Sequence, residues 1–164
     1  MNIEDFKNLP SLNLPACELK IEVDGEELRV FDPVRGKRVV LTPEEYVRQN
    51  FVNWLVRGLG YPASHIANET AISVNETVKR CDTVVFNRQG RPMMIVEYKA
   101  PSVAITQDTF DQIVRYNMTL KVRYLVISNG LRHYCCVIDY ENNTYNFIPN
   151  IPPYKETYKG HGLN

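Results

Sequence analysis

A chain of 164 residues with 44% hydrophobic and 23% charged side chains is long enough for one buried core and too short for two comfortable ones. Nineteen basic and nineteen acidic residues leave a formal net charge of zero, so no global field draws the protein to nucleic acid or to an anionic membrane. That balance argues against a constitutively basic binding protein, but not against an enzyme whose own site is acidic and holds a cation.

In chain order, residues 1–18 read as an irregular arm. Leu19 to Val30 alternates apolar and polar residues around Asp24-Gly25, the signature of a tight hairpin. Phe31-Asp32-Pro33 breaks that pair, and Arg38 to Leu41 adds a short strand. Thr42-Pro43-Glu44-Glu45 starts a helix: Thr42 caps, Pro43 suits the first helical position, and Glu45 completes a capping box. Val47, Phe51, Trp54 and Leu55 follow at helical spacing until Gly58 and Gly60-Tyr61-Pro62 end the run. A short helical turn or loop is expected over 63–68. From Glu69 the period becomes two, with dense apolar runs at Thr83 to Phe86 and Met93 to Val96 joined by a loop over 87–91. Ile105 to Leu120 returns to helical spacing. Tyr124 to Ile127 and Tyr134 to Ile138 form a hairpin around Asn129-Gly130, and Thr144 to Ile148 adds a last strand. The expected domain therefore spans 19–153, followed by a polar, frayed tail over 154–164. The layout is α+β with one central sheet.

Cys17, Cys81, Cys135 and Cys136 show no C-x-x-C spacing, and His65, His133 and His161 do not complete a zinc set. Reduced, buried thiols are expected, with Cys135 and Cys136 on opposite sides of one strand. No basic-then-apolar leader and no apolar run of membrane-spanning length occurs, so a soluble, cytoplasmic protein without membrane contact is expected.

The chemistry sits on the hairpin around Gln89-Gly90. Pairing centred there places Asp82 opposite Glu97, where like charges destabilise a sheet. Apolar Val84, Val85, Ile95 and Val96 surround them, so the charge is costly. A hard divalent cation offsets both costs, and a pair of carboxylates with water is the ordinary Mg²⁺ arrangement, Mn²⁺ being the natural substitute. Lys99, two residues beyond Glu97, projects from the same face and can stabilise developing negative charge. Together they supply what phosphodiester hydrolysis needs. One residue of slip would turn Asp82 to the other face.

Arg80-Cys81-Asp82 followed by Val96-Glu97-Tyr98-Lys99-Ala100-Pro101 resembles the PD-(D/E)XK nuclease signature, with Asp82 as first acid and Glu97-Tyr98-Lys99 as E-x-K. More narrowly, the chain resembles the N-terminal nuclease domain of type I restriction enzyme R subunits. Thr42 to Gln49, Gln112-Ile113-Val114-Arg115-Tyr116-Asn117 and Ser128-Asn129-Gly130 carry that likeness, which runs from about Phe31 to Ile138. The resemblance implies a restriction-endonuclease-like mixed sheet flanked by helices, Asp82 and Glu97 as metal ligands, and Lys99 as the catalytic lysine. It also implies that Gln112 and Tyr116, four apart on one helix face, assist catalysis. A glutamate on the first helix completes the metal site in such proteins, and Glu45 is the better candidate, with Glu44 as alternative. Cys81 stands where the signature has proline, which removes no functional group.

Each residue has a plainer explanation. Asp82, Glu97 and Lys99 as a solvated polar face do not fit their apolar flanks. A capping box alone accounts for Glu45. Gln112 and Tyr116 suit the polar border of an amphipathic helix. Of the scattered basic residues, Arg80 is the candidate for nucleic-acid contact, sharing the face of Asp82 if its strand begins early enough. The expected function is a Mg²⁺-dependent DNA endonuclease, with a motor or restriction-modification subunit as a separate partner because no motor follows in this sequence. The alternative is a non-catalytic or partner-dependent nucleic-acid-binding module that keeps the fold. Oligomeric state is left open by the sequence.

Overall fold

The computed structural model describes residues 1–74 and 77–157, except for the side chains of Val74, Thr77, Tyr116 and Thr119. Two sheets build it, one of three strands and one of six. In the smaller sheet, β1 (Ile21–Asp24) and β2 (Glu27–Asp32) pair antiparallel with Asp24 opposite Glu27. Gly25 therefore sits in a two-residue turn at φ 62°, which its missing Cβ permits. β3 (Lys37–Val40) pairs along the other edge of β2. Leu28, Val30 and Leu41 make a small core for this sheet.

The N-terminal arm is not wholly irregular. α1 (Ile3–Lys7) is a five-residue helix with a capping box between Asn2 and Asp5, and Phe6 stacks edge-on against Tyr46. Further along, Leu12 and Leu14 pack on the main core, and the Asn13 N–H donates to the Gly130 carbonyl at 2.8 Å. A Cβ at Gly130 (φ 82°) would meet Leu12 at 2.6 Å, so the arm's close approach requires glycine there.

α2 (Pro43–Arg57) begins as expected at Thr42, whose hydroxyl accepts from the Glu45 N–H at 3.0 Å. The capping box is only half made. The Glu45 carboxylate does not return to the cap but goes to two arginines, because charge-assisted bonds are the stronger ones. A 3-10 turn over Ala63–His65 leads into the central sheet.

That sheet runs in spatial order β4 (Ile66–Val74), β5 (Thr77–Phe86), β6 (Pro92–Tyr98), β7 (Tyr124–Ser128), β8 (His133–Asp139) and β9 (Thr144–Ile148). Every neighbouring pair is antiparallel except β6 and β7, which are parallel because α3 (Gln107–Asn117) supplies the crossover between them. Alternate residues feed two cores. On the α2 side lie Val85, Met94, Val96, Tyr98, Val126 and Cys135 against Val47, Phe51 and Leu55. On the α3 side lie Val84, Ile95, Leu125, Ile127 and Cys136 against Phe110 and Val114. Cys135 and Cys136 thus part to opposite faces, and burial pushes both thiols up to about 12.

The near end of the expected tail is docked. Tyr154 packs on Tyr61 and His65, its N–H donates to the Leu59 carbonyl, and Thr157 is buried, so 154–157 belong to the packed fold. Residues 158–164, the rest of that expectation, lie outside the described residues. Among the described residues no helix is long and apolar enough to cross a membrane.

Candidate active site

The β5–β6 register decides whether the two acids meet. Phe86 pairs with Pro92 near the turn, a bulge between Val85 and Phe86 shifts the ladder, and Val85–Met94, Val84–Ile95 and Thr83–Val96 follow. Continuing that ladder by one step brings Asp82 opposite Glu97. Regular pairing stops there because the Asp82 side chain takes over: its Oδ2 accepts the Tyr98 N–H at 2.8 Å. Glu97 shares a strand face with Ile95 of the α3-side core, while Asp82 Oδ1 reaches toward Arg48 of α2 at 3.4 Å. Tyr98, pointing the other way, is buried against Phe51 in the α2-side core.

Asp82, Glu97 and Lys99 line one open cleft of about 880 Å³. Its other walls come from β3 (Lys37, Val39, Val40), the start of α2 (Thr42, Glu44, Glu45, Arg48), and β4–β5 (Asn68, Glu69, Arg80). Arg80 falls within β5 two residues before Asp82, which meets the condition for sharing its face. The N-terminal sheet is tied to the cleft by a buried polar chain. Asp32, fully buried, accepts from Arg35 Nε and from Asn68 Nδ2 at 3.0 Å, and Asn68 Oδ1 accepts from Thr83 Oγ1 at 2.7 Å. Burial pushes the Asp32 carboxyl up, but the Asn68 and Arg35 bonds outweigh it and leave the group below the usual carboxylate range.

Arg48 is the residue that sequence reasoning missed. Its side chain is only 6% exposed. Nη1 donates to Glu45 Oε2 at 2.5 Å, Nη2 donates to Glu69 Oε1 at 2.5 Å and reaches Asp82 Oδ1 at 3.4 Å, and the guanidinium lies 5.6 Å from the centre of the Tyr98 ring. Glu45 is thereby fully engaged, since Oε1 also accepts from Arg35 Nη2 and Gln49 Nε2. Glu69 was equally unforeseen. Its other oxygen takes both Nε (2.8 Å) and Nη2 (2.6 Å) of Arg80. Burial pushes the Glu69 carboxyl up, yet the Arg80 and Arg48 interactions prevail and hold it low. The one signal in the sequence was helical spacing, which sets Arg48 three residues after Glu45 on one face of α2.

Glu97 has the opposite balance. Burial, then the charge of Asp82, push its carboxyl up to about 8, against smaller opposing effects from Lys99 and Arg48. Its Oε1 is buried without a hydrogen-bond partner among the described residues. A buried, partnerless carboxylate oxygen beside a second carboxylate is a donor set that fits a hard divalent cation with oxygen ligands. No group of three or more His, Cys, Asp or Glu converges in a metal-holding arrangement among the described residues. Glu45 lines the same cleft, where its oxygens are engaged by Arg35, Arg48 and Gln49.

Not every expected residue reaches the cleft. Gln112 is exposed on α3 and absent from the cleft lining. Tyr116 lies on the same helix, but its side chain falls outside the described residues. Burial pushes the Cys81 thiol up to about 12, which suits packing rather than nucleophilic work. His133 is tied to Ser128 Oγ and the Asn13 carbonyl and packs on Phe51 and Trp54, a structural role.

Comparison with known proteins agrees with this architecture. Residues 43–152 match the family described as "Type I restriction enzyme R protein N terminus". Among solved structures, the chain is similar to one described as a fragment of an HsdR subunit of a type I restriction enzyme from Vibrio vulnificus YJ016. The TM-score is 0.50, with 20% identity over 73% of this chain and 25% of that one. That likeness is one of fold, and this chain spans about a quarter of the other's length. No curated protein matches. The mixed six-stranded sheet flanked by helices, with its added three-stranded sheet, is an α+β restriction-endonuclease-like fold. With the family matching well over half of its length, the chain belongs to the type I restriction enzyme R protein N-terminus family.

Proposed function

We propose that the cleft is a divalent-metal-dependent nuclease site that hydrolyses DNA phosphodiester bonds, Mg²⁺ being the natural ion and Mn²⁺ its substitute. The observation that carries this reading is the buried, partnerless Glu97 Oε1 beside Asp82 and Lys99. Asp82 and Glu97 are assigned as the ligands. Bound between them, the ion supplies Lewis acidity and makes water a better nucleophile at neutral pH. Lys99 offers an ammonium that stabilises negative charge building on the phosphoryl oxygens. The Tyr98 N–H orients the Asp82 carboxylate, and Arg80, 77% exposed, extends a cation toward the DNA backbone. Gln112 and Tyr116 are assigned at most an assisting role from α3. A translocating motor or a restriction-modification subunit is the partner this reading implies.

The test is cleavage of supercoiled plasmid by the purified chain with Mg²⁺ or Mn²⁺, alongside calorimetric titration of Mn²⁺. Asp82→Asn, Glu97→Gln and Lys99→Met should each abolish cleavage, and the first two should also abolish Mn²⁺ binding. Equal activity in the wild type and all three variants refutes the assignment.

A second reading has one observation in its favour. Arg48 already reaches Asp82, so a protein cation occupies part of the space where a metal would work. A partner-dependent nucleic-acid-binding module that keeps the fold would use the cleft in that state. Absence of Mn²⁺ heat in the wild type, together with DNA binding that ignores divalent ions, would favour it.

A further inference from the structure

Glu69 stands inside β4 with a left-handed backbone, φ 50°, a conformation uncommon for any residue with a side chain and foreign to strands. The β4–β5 ladder steps over it: Asn68 pairs with Thr83 and Thr70 with Cys81, leaving Glu69 across from Asp82. The residue makes two sets of ion pairs, to Arg48 through Oε1 and to Arg80 through Oε2. Both Nε and Nη2 of Arg80 donate to the one oxygen, Oε2, which holds the guanidinium and leaves Nη1 with no protein partner among the described residues. A guanidinium held this way is ready to donate to a phosphate with little further loss of side-chain freedom.

We propose that Glu69 is a positioning residue that holds Arg80 at the cleft edge for a DNA phosphate while linking it, through Arg48, to Asp82. The strained backbone is retained for that purpose. This inference rests on the nuclease reading and adds a separate prediction. Glycine tolerates the left-handed backbone, so Glu69→Gly should still fold while losing the clamp, with a Tm lowered by the partner it takes from buried Arg48. A purely structural role for the ion pairs predicts the same lower Tm with unchanged DNA affinity.

The experiment measures fluorescence anisotropy of a labelled DNA duplex, with Ca²⁺ present, on the cleavage-dead Glu97→Gln background. Plasmid nicking with Mg²⁺ is followed in parallel on the otherwise wild-type chain. Glu69→Gly and Arg80→Ala should each weaken duplex binding about tenfold. In combination they should be no weaker than Arg80→Ala alone, because both remove one contact. Glu69→Gln, isosteric but neutral, should move binding the same way by less. Full additivity of the two changes, or wild-type affinity in Glu69→Gly, overturns the proposal. A chain that neither binds nor cuts DNA, whatever residue stands at 69, overturns the nuclease reading itself; normal cutting with unaltered binding in Glu69→Gly overturns only this inference.

Discussion

The two long helices cover opposite faces of one sheet and are built on different plans. α3 is one-sided: Phe110 and Val114 are buried against the sheet, while Gln112 and Arg115 face solvent. α2 is buried nearly all round, with Val47, Phe51 and Leu55 toward the sheet and Glu45, Arg48 and Gln49 buried as well. Long polar side chains are seldom buried unless they are paired, and here each one is. A helix that covers a core needs one apolar stripe; a helix that also walls a charged cleft needs a second stripe of matched ions. The difference sets α2 along the charged cleft and α3 over an apolar face of the sheet.

The largest effect that tests this contrast is catalytic. Glu97→Gln should cost about a hundred- to thousandfold in plasmid cleavage, as expected for removing a group that supports charge in the transition state. Next is stability. Arg48→Ala strips the cation from between Glu45, Glu69 and Asp82, and urea unfolding should show a loss of about 3–5 kcal/mol, the range for breaking a buried pair. A loss below about 1 kcal/mol, the range of surface pairs, would mean that the α2 ion network is solvated and the contrast with α3 is false.

A pH effect comes third. Glu97 ionises near its ordinary value of 4.5 in the unfolded chain and only toward about 8 in the folded one. Between those values the folded state holds more protons, so metal-free stability should fall as pH rises through that window. Thermal melts across the window should show the slope, and Glu97→Gln should flatten it. A slope that survives in the variant would move its origin to another group.

The smallest effect belongs to α3. Gln112→Ala should change stability by no more than about 0.5 kcal/mol, as for an exposed position. Cleavage should fall by about tenfold or less, far short of the Glu97 effect. A hundredfold loss would bring α3 into the site and make its exposed face a DNA-side surface.

Much of this was readable from the residues. Period and turn chemistry located most of the central sheet, because alternation and Asn-Gly turns are local properties, but Ile66 to Asn68, expected as a helical turn or loop, open β4. The Thr42 cap and the Phe51 face of α2 were local too. Asp82, Glu97 and Lys99 were legible as a group because one hairpin carries all three and a two-residue period sets their face. The centre assumed at Gln89-Gly90 leads to the same Asp82–Glu97 register only because a bulge at Val85/Phe86 shifts the ladder, and a bulge has no reliable sequence signal.

What tertiary structure alone decided is who pairs with whom among the charges. The sequence offers Glu45 to a capping box or a metal, and its carboxylate meets Arg35 and Arg48 only because folding brings the β2–β3 turn onto α2. Arg48, Glu69 and Asp82 are 21 and 34 positions apart along the chain in their contacts, so no local pattern could join them. Charge is long-ranged and indifferent to sequence order, whereas backbone conformation is set by near neighbours. The residues by themselves therefore determined the strands, the helices and the acid pair. The cation that faces that pair, and the strained glutamate that holds it, were settled by packing.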